Sequence, residues 1–168
     1  MKKIAITGPE SVGKSILSNQ LGQHFRGHVV KEYARSYVEG LTGVYTYSDV
    51  ENIAKHQILE YNNAAFLDVQ YVFFDTFLII TKVWFEYVYN RIPKWLDKEI
   101  VKHPMDLYLL CAPDLPWIAD GVRENPNVRQ ELFNLYEKEL NSYGFNYQIV
   151  SGEGTSRIEC AIELINRI

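Results

Sequence analysis

Eight residues close to the start of the chain, Gly8-Pro9-Glu10-Ser11-Val12-Gly13-Lys14-Ser15, satisfy the pattern G-x-x-x-x-G-K-[ST] in full. An apolar run, Lys3 to Thr7, leads into them. A segment from Lys14 to Phe25 follows, with Leu17, Leu21 and Phe25 on one helical stripe. Strand, glycine-rich turn and helix in that order meet a physical need. The glycines let backbone N–H groups come close to phosphate oxygens, and the helix N-terminus adds a favourable dipole. All eight residues are therefore candidates to hold ATP. Lys14 is placed to reach the β- and γ-phosphates, and the Ser15 hydroxyl to ligate Mg2+.

The rest of the chain alternates short β-rich runs with helical patterns, the signature of a parallel sheet covered by helices. Strands are expected at His28–Lys31, Tyr71–Phe74, Asp106–Cys111 and Tyr147–Val150. Ser48 and Glu51 read as a capping box for a helix carrying Val50, Ile53, Ala54, Ile58, Tyr61 and Ala65. A long aromatic helix is expected over Leu78–Asn90, and a short helical piece from Pro93 to about Val101. Asn125 and Pro126 read as N-cap and first-turn proline of the next helix. Ser156 and Glu159 read as caps of the last, with Ile158, Ala161, Ile162 and Ile165 inward. The expected architecture is one domain over residues 1–168: a three-layer α/β domain of the P-loop kinase-like kind, a five-stranded parallel sheet flanked by helices, with a lid segment.

At 168 residues with 47% hydrophobic and 23% charged, the chain can bury a globular core. Its formal net charge of -4 is the wrong sign for a general nucleic-acid binder. Asp75, Lys82 and Glu86 interrupt the longest apolar stretch, Tyr71 to Tyr89, which argues against a membrane span. Two cysteines, both in apolar surroundings, make no disulfide framework. A cytoplasmic protein without membrane or nucleic-acid partner is expected; the sequence sets no oligomeric state.

Ligands of open α/β sheets sit beyond the carboxyl ends of the strands. Glu32 and Asp75 end the second and third strands. Asp75 is a candidate to hold Mg2+, or to N-cap the helix after it, or both. Glu32 is a candidate to accept the proton of an acceptor hydroxyl. Arg35 is three residues on, positioned to orient Glu32 or bind substrate, or to form a surface ion pair. Asp120, Arg123 and Arg129 lie in or just after the Pro- and Gly-containing loop from Ala112 to Pro126. The two arginines fit a lid that closes on the triphosphate and stabilises the transferring phosphoryl group. Tyr33, Tyr45, Tyr47, Tyr61, Trp84 and Trp95 could each stack on a flat substrate ring, or pack in the core.

With these motifs placed, the chain resembles the ribosylnicotinamide kinase domain family of bacterial NAD salvage along nearly its whole length. The matching segments are GPESVGKS (Gly8 to Ser15), KEYARSYVE (Lys31 to Glu39), FFDT (Phe73 to Thr76), TKVW (Thr81 to Trp84), DLYLLC (Asp106 to Cys111) and LPWIADGVRENP (Leu115 to Pro126). The resemblance implies transfer of the ATP γ-phosphoryl group to the 5′-hydroxyl of nicotinamide riboside, giving nicotinamide mononucleotide. Within that reaction the residue reading expects Glu32 as base, Lys14 and Arg123 on the phosphates, Ser15 and Asp75 on Mg2+, and Arg35, Trp84 and Asp120 near the nucleoside. Two positions depart from the family pattern: Phe77 stands where the second acid of Asp-Thr-Asp is usual, and Lys31 where an aromatic residue often precedes the Glu-Tyr. The adenylyltransferase and DNA-binding activities of multidomain relatives are not expected. Phosphorylation of another nucleoside, or a nucleotide-dependent switch without phosphotransfer, are the alternatives.

Overall fold

Five parallel strands carry the chain: β1 (Lys2–Thr7), β2 (His28–Val30), β3 (Tyr71–Asp75), β4 (Leu107–Cys111) and β5 (Tyr147–Val150). They pair in the order β2-β3-β1-β4-β5. The structure, a computed structural model, describes residues 1–118 and 127–168. Seven helices lie among the described residues: α1 (Lys14–His24), α2 (Tyr33–Glu39), α3 (Tyr47–Ala64), α4 (Leu78–Tyr89), α5 (Leu96–Lys102), α6 (Arg129–Ser142) and α7 (Gly154–Ile165).

Period-two alternation splits each central strand between two cores. Ile4, Ile6, Phe73, Leu107 and Leu109 face the cluster completed by Leu17 and Leu21 of α1 and Ala161 and Ile165 of α7. Ala5, Val72, Phe74, Tyr108 and Leu110 face the larger cluster built with α3 to α6. The register sets Ile4 beside both Phe73 and Leu107. The result is the expected three-layer α/β arrangement. Among the described residues no helix is long and apolar enough to cross a membrane.

The helix starts differ from the sequence reading. Helix α3 is capped by Thr46, whose hydroxyl accepts from the Asp49 backbone N–H while the Asp49 carboxylate accepts from the Thr46 N–H. Two S/T-x-x-D/E patterns overlap here, and the earlier one, Thr46 rather than Ser48, sits at the chain reversal. Helix α6 begins at Arg129 behind Val128; Asn125 and Pro126 lie outside the described residues. Helix α7 begins at Gly154, so Ser156 occupies the first turn instead of the cap. Asp75 ends β3 and is not an N-cap: Phe77 holds that position for α4. The Phe77 ring is buried and lies over Tyr61 (5.4 Å) and Phe74 (5.5 Å). The side chain at position 77 therefore belongs to the core.

Candidate functional site

The P-loop leaves the central strand β1 where the connections diverge, from β1 past β3 to β2 on one side and from β3 across to β4 on the other. This is where open α/β sheets form their ligand crevice. Gly8 has φ 134° and passes so close to β4 that a Cβ would lie 2.8 Å from the Cys111 carbonyl oxygen. No other residue fits there without backbone movement. Gly13 has φ 74° and is the left-handed N-cap of α1. Ser11 and Thr76, at φ 57° and 75°, are non-glycine residues in the same region. Backbone strain of this kind gathers at ligand clamps.

A cleft of about 240 Å³ runs from the P-loop to an aromatic wall. Gly8, Glu10 through Ser15, Glu32 and Arg35 line its polar half. Val38, Ile80, Trp84, Tyr87 and Val88 line its apolar half, with Tyr45 edge-on to Trp84 at 4.9 Å. The Lys14 ammonium donates to the carbonyls of Gly8 (3.0 Å) and Pro9 (2.6 Å), folded over the loop it serves. Pro9 itself lies outside the lining and contributes that carbonyl.

Asp75 is buried beneath the loop, with one carboxylate oxygen lacking a partner among the described residues. Burial pushes its carboxyl above the usual carboxylate range, and the charge of Glu32 adds to this. A hydrogen bond from Ser15 and the charges of Lys14 and Arg35 pull it back. The site thus holds a carboxylate oxygen and a hydroxyl side by side at the foot of the phosphate cradle, a hard oxygen set that suits a Mg2+ carried in with phosphate oxygens and water.

Glu32 precedes α2, and its carboxylate lies 3.6 Å from Arg35 Nε. Arg35 also reaches Glu39, at 3.7 Å. Both Glu32 and Arg35 line the cleft, as the sequence predicts. Of the candidate stacking rings, the structure brings Tyr45 and Trp84 to the cleft. Tyr33 stacks on His56 at 3.5 Å, Tyr47 packs on Phe85, Tyr61 lies in the core, and Trp95 bonds Glu51. Arg129 spends Nη1 on the Leu115 carbonyl (2.7 Å) and the Ser11 carbonyl (3.4 Å), at the rim of the P-loop and outside the lining. Asp120 and Arg123 lie outside the described residues.

Sequence reasoning missed Gln57, Thr81, Tyr87 and Tyr136 as cleft residues. Gln57 and Thr81 are buried and joined, Thr81 Oγ1 donating to Gln57 Oε1 at 2.7 Å. The available signal was a glutamine on the buried stripe of α3, in step with Val50, Ile53, Ala54 and Tyr61. A buried amide needs partners, so its place on that stripe marks a polar site.

A parallel sheet in this order, with G-x-x-x-x-G-K-S after its central strand and an acid ending the next strand, defines a P-loop nucleotide-binding protein. Residues 3–157 match the family described as AAA domain, and the chain belongs to that family. It is 29% identical to the trifunctional NAD biosynthesis/regulator protein NadR of Escherichia coli (strain K12) over 175 aligned residues, covering 100% of this chain and 43% of that protein. The chain thus spans less than half of that relative. Among solved structures it resembles NadR protein in complex with NR (TM-score 0.82, 22% identity, 99% of this chain and 50% of that one). A NadR structure with NAD and AMP-PNP is similar to the same extent (TM-score 0.80, 24% identity, 99% and 49%). Deoxyadenosine kinase from M. mycoides has the same fold (TM-score 0.70, 17% identity, 99% and 100%).

Proposed function

We propose that the protein is an ATP-dependent nucleoside kinase that phosphorylates the 5′-hydroxyl of nicotinamide riboside to give nicotinamide mononucleotide. The observation that carries this reading is a single cleft with a phosphate cradle at one end and a Tyr45–Trp84 aromatic wall at the other, with Glu32 and Arg35 in the same lining. A switch that only binds nucleotide has no use for the second compartment. The likeness to NadR, whose structures hold NR and AMP-PNP, supports the choice of acceptor and donor.

In this reading the P-loop N–H groups and Lys14 hold the β- and γ-phosphates of ATP, and the aromatic wall holds the nicotinamide ring. Glu32, oriented by Arg35, takes the proton from the 5′-hydroxyl as its oxygen bonds the γ-phosphorus. The bond from that phosphorus to the bridging oxygen breaks, and ADP leaves. Ser15 and Asp75 would hold Mg2+, which offsets charge on the phosphates when bound. Arg123 and Asp120 are assigned to the lid and to the nucleoside respectively, and Arg129 to the triphosphate side, where it holds the Leu115 and Ser11 carbonyls at the rim of the P-loop. Cytoplasmic work, where ATP and Mg2+ are supplied, goes with this role.

The test is incubation of the protein with ATP, Mg2+ and a panel of nucleosides, with products read by mass spectrometry. Nicotinamide riboside should gain one phosphate faster than any other member. Preference for another nucleoside would move the acceptor assignment, and ATP hydrolysis with no phosphorylated nucleoside would favour the switch.

A further inference from the structure

Arg157, on the first turn of α7, is 5% exposed although it carries a permanent charge. Its guanidinium is not idle. Nη1 donates to Asp114 Oδ1 (2.7 Å) and to the Gly152 carbonyl (2.9 Å). Nη2 donates to the carbonyls of Val12 (3.0 Å) and Ala112 (3.1 Å). Asp114 completes the arrangement by accepting from the Gly152 N–H at 2.7 Å. One buried side chain thus ties together the P-loop, the end of β4 and the loop after β5. The Nε has no partner among the described residues.

The Val12 contact has a geometric consequence. A peptide unit is planar and trans, so its carbonyl and its N–H point in opposite directions. Gly13 lines the cleft and Arg157 does not, so holding the Val12 carbonyl turns the Gly13 N–H away from Arg157. Arg129 holds the preceding carbonyl, that of Ser11, more loosely at 3.4 Å. Preset donors matter because an N–H already aimed at the phosphate pays no reorganisation when the ligand arrives.

We propose that Arg157 is a positioning residue for the phosphate cradle, fixing the Val12–Gly13 peptide so that its N–H faces the β- and γ-phosphates of the bound triphosphate. The role is separate from any contact with ligand: among the described residues Arg157 hydrogen-bonds backbone carbonyls and Asp114, and it lies outside the cleft lining. It rests on the nucleotide reading of the P-loop above and extends it to a residue outside the motif.

The experiment compares wild type with Arg157→Gln, Arg157→Lys and Asp114→Asn by titration calorimetry. The titrants are ATP, inorganic triphosphate and nicotinamide riboside, and the folded fraction comes from thermal unfolding. Loss of one charge-assisted hydrogen bond is worth about tenfold in affinity. Arg157→Gln should therefore bind ATP and inorganic triphosphate about tenfold more weakly, or worse, per folded molecule, with nicotinamide riboside affinity unchanged. Arg157→Lys keeps the charge but not the fork and should fall between; Asp114→Asn should show a smaller loss in the same direction. A lower melting temperature with unchanged triphosphate affinity would overturn the proposal and leave Arg157 a structural tie. If Arg157→Gln does not fold, Arg157→Lys and Asp114→Asn decide: wild-type triphosphate affinity in both refutes the role. Failure of the wild-type protein to bind either triphosphate would bring down the nucleotide reading, and this inference with it.

Discussion

The Ser15 hydroxyl lies near enough to the Asp75 carboxylate to favour its charged form, bringing the end of the P-loop to the end of β3. Because these strands are neighbours in the sheet, the two oxygens sit at a fixed place under the phosphate cradle. The relationship separates the two roles open to Asp75 in the sequence, since the helix that follows is capped by Phe77.

Replacing Asp75 with Asn should cost activity and not stability. Burial raises the Asp75 carboxyl above its ordinary value. The folded state therefore holds the proton more tightly than the unfolded chain. Stability is unpenalised below the ordinary carboxylate range, near pH 4, and is lost as pH rises through the raised folded value. In chelator, Asp75→Asn should show a flatter dependence of melting temperature on pH across that window and an equal or higher melting temperature at pH 7. Turnover should fall by about 10² or more, the scale of a lost electrostatic contact at the transferring group. A collapse of stability with normal turnover per folded molecule would make Asp75 structural.

Lys14→Ala should weaken ATP binding by about tenfold or more, because the cradle loses its one positive side chain. The same change frees the Gly8 and Pro9 carbonyls that the ammonium now holds. Wild-type ATP affinity and turnover in this variant would contradict the P-loop assignment.

A third prediction concerns the buried cation behind the aromatic wall. Lys82 of α4 lies 2.7 Å from Glu139 of α6, 3.0 Å from Asp97 of α5 and 2.7 Å from the Tyr143 hydroxyl. Lys82→Met leaves the buried Glu139 carboxylate without its counter-charge, which costs about 3–5 kcal/mol for a buried pair. Denaturant unfolding should show that loss, and Lys82→Met with Glu139→Gln should recover most of it. An unchanged midpoint in the single variant would mean the cluster is solvated.

Strands and the P-loop were legible because their signals are local: β-rich runs, a complete motif, and strand ends marked by acids. Helix α2 was not among the expected elements, since none of its seven residues is buried and no apolar stripe exists to reveal a helix. Arg157 was missed although it falls in step with Ala161 and Ile165, the buried residues of α7. A charge at that spacing reads as a surface residue until the carbonyls it meets, at Val12, Ala112 and Gly152, are brought to it by the fold. Trp84 and Tyr45 stood among six candidate rings because only packing decides which aromatic faces a cleft.

Glu32→Gln separates base from substrate clamp. Glu32 lines the cleft and lies beside Arg35 at 3.6 Å, while Asp75 is engaged with Ser15. The amide keeps the shape and should leave ATP affinity intact. At saturating nicotinamide riboside, turnover should fall by about 10² or more, the usual scale of lost general-base catalysis. A variant with near-normal maximal turnover that merely needs more nucleoside would move Glu32 from base to clamp.

One phosphoryl transfer that joins the two halves of the cleft would carry the γ-phosphoryl group of ATP to the nucleoside. Its most direct test gives the protein ATP labelled in the γ-phosphoryl oxygens, with Mg2+ and nicotinamide riboside, and follows products by mass spectrometry. Nicotinamide mononucleotide should carry the labelled phosphoryl group on its 5′-oxygen and form one for one with ADP. Label released only as inorganic phosphate, with nicotinamide riboside left unchanged, would contradict that transfer.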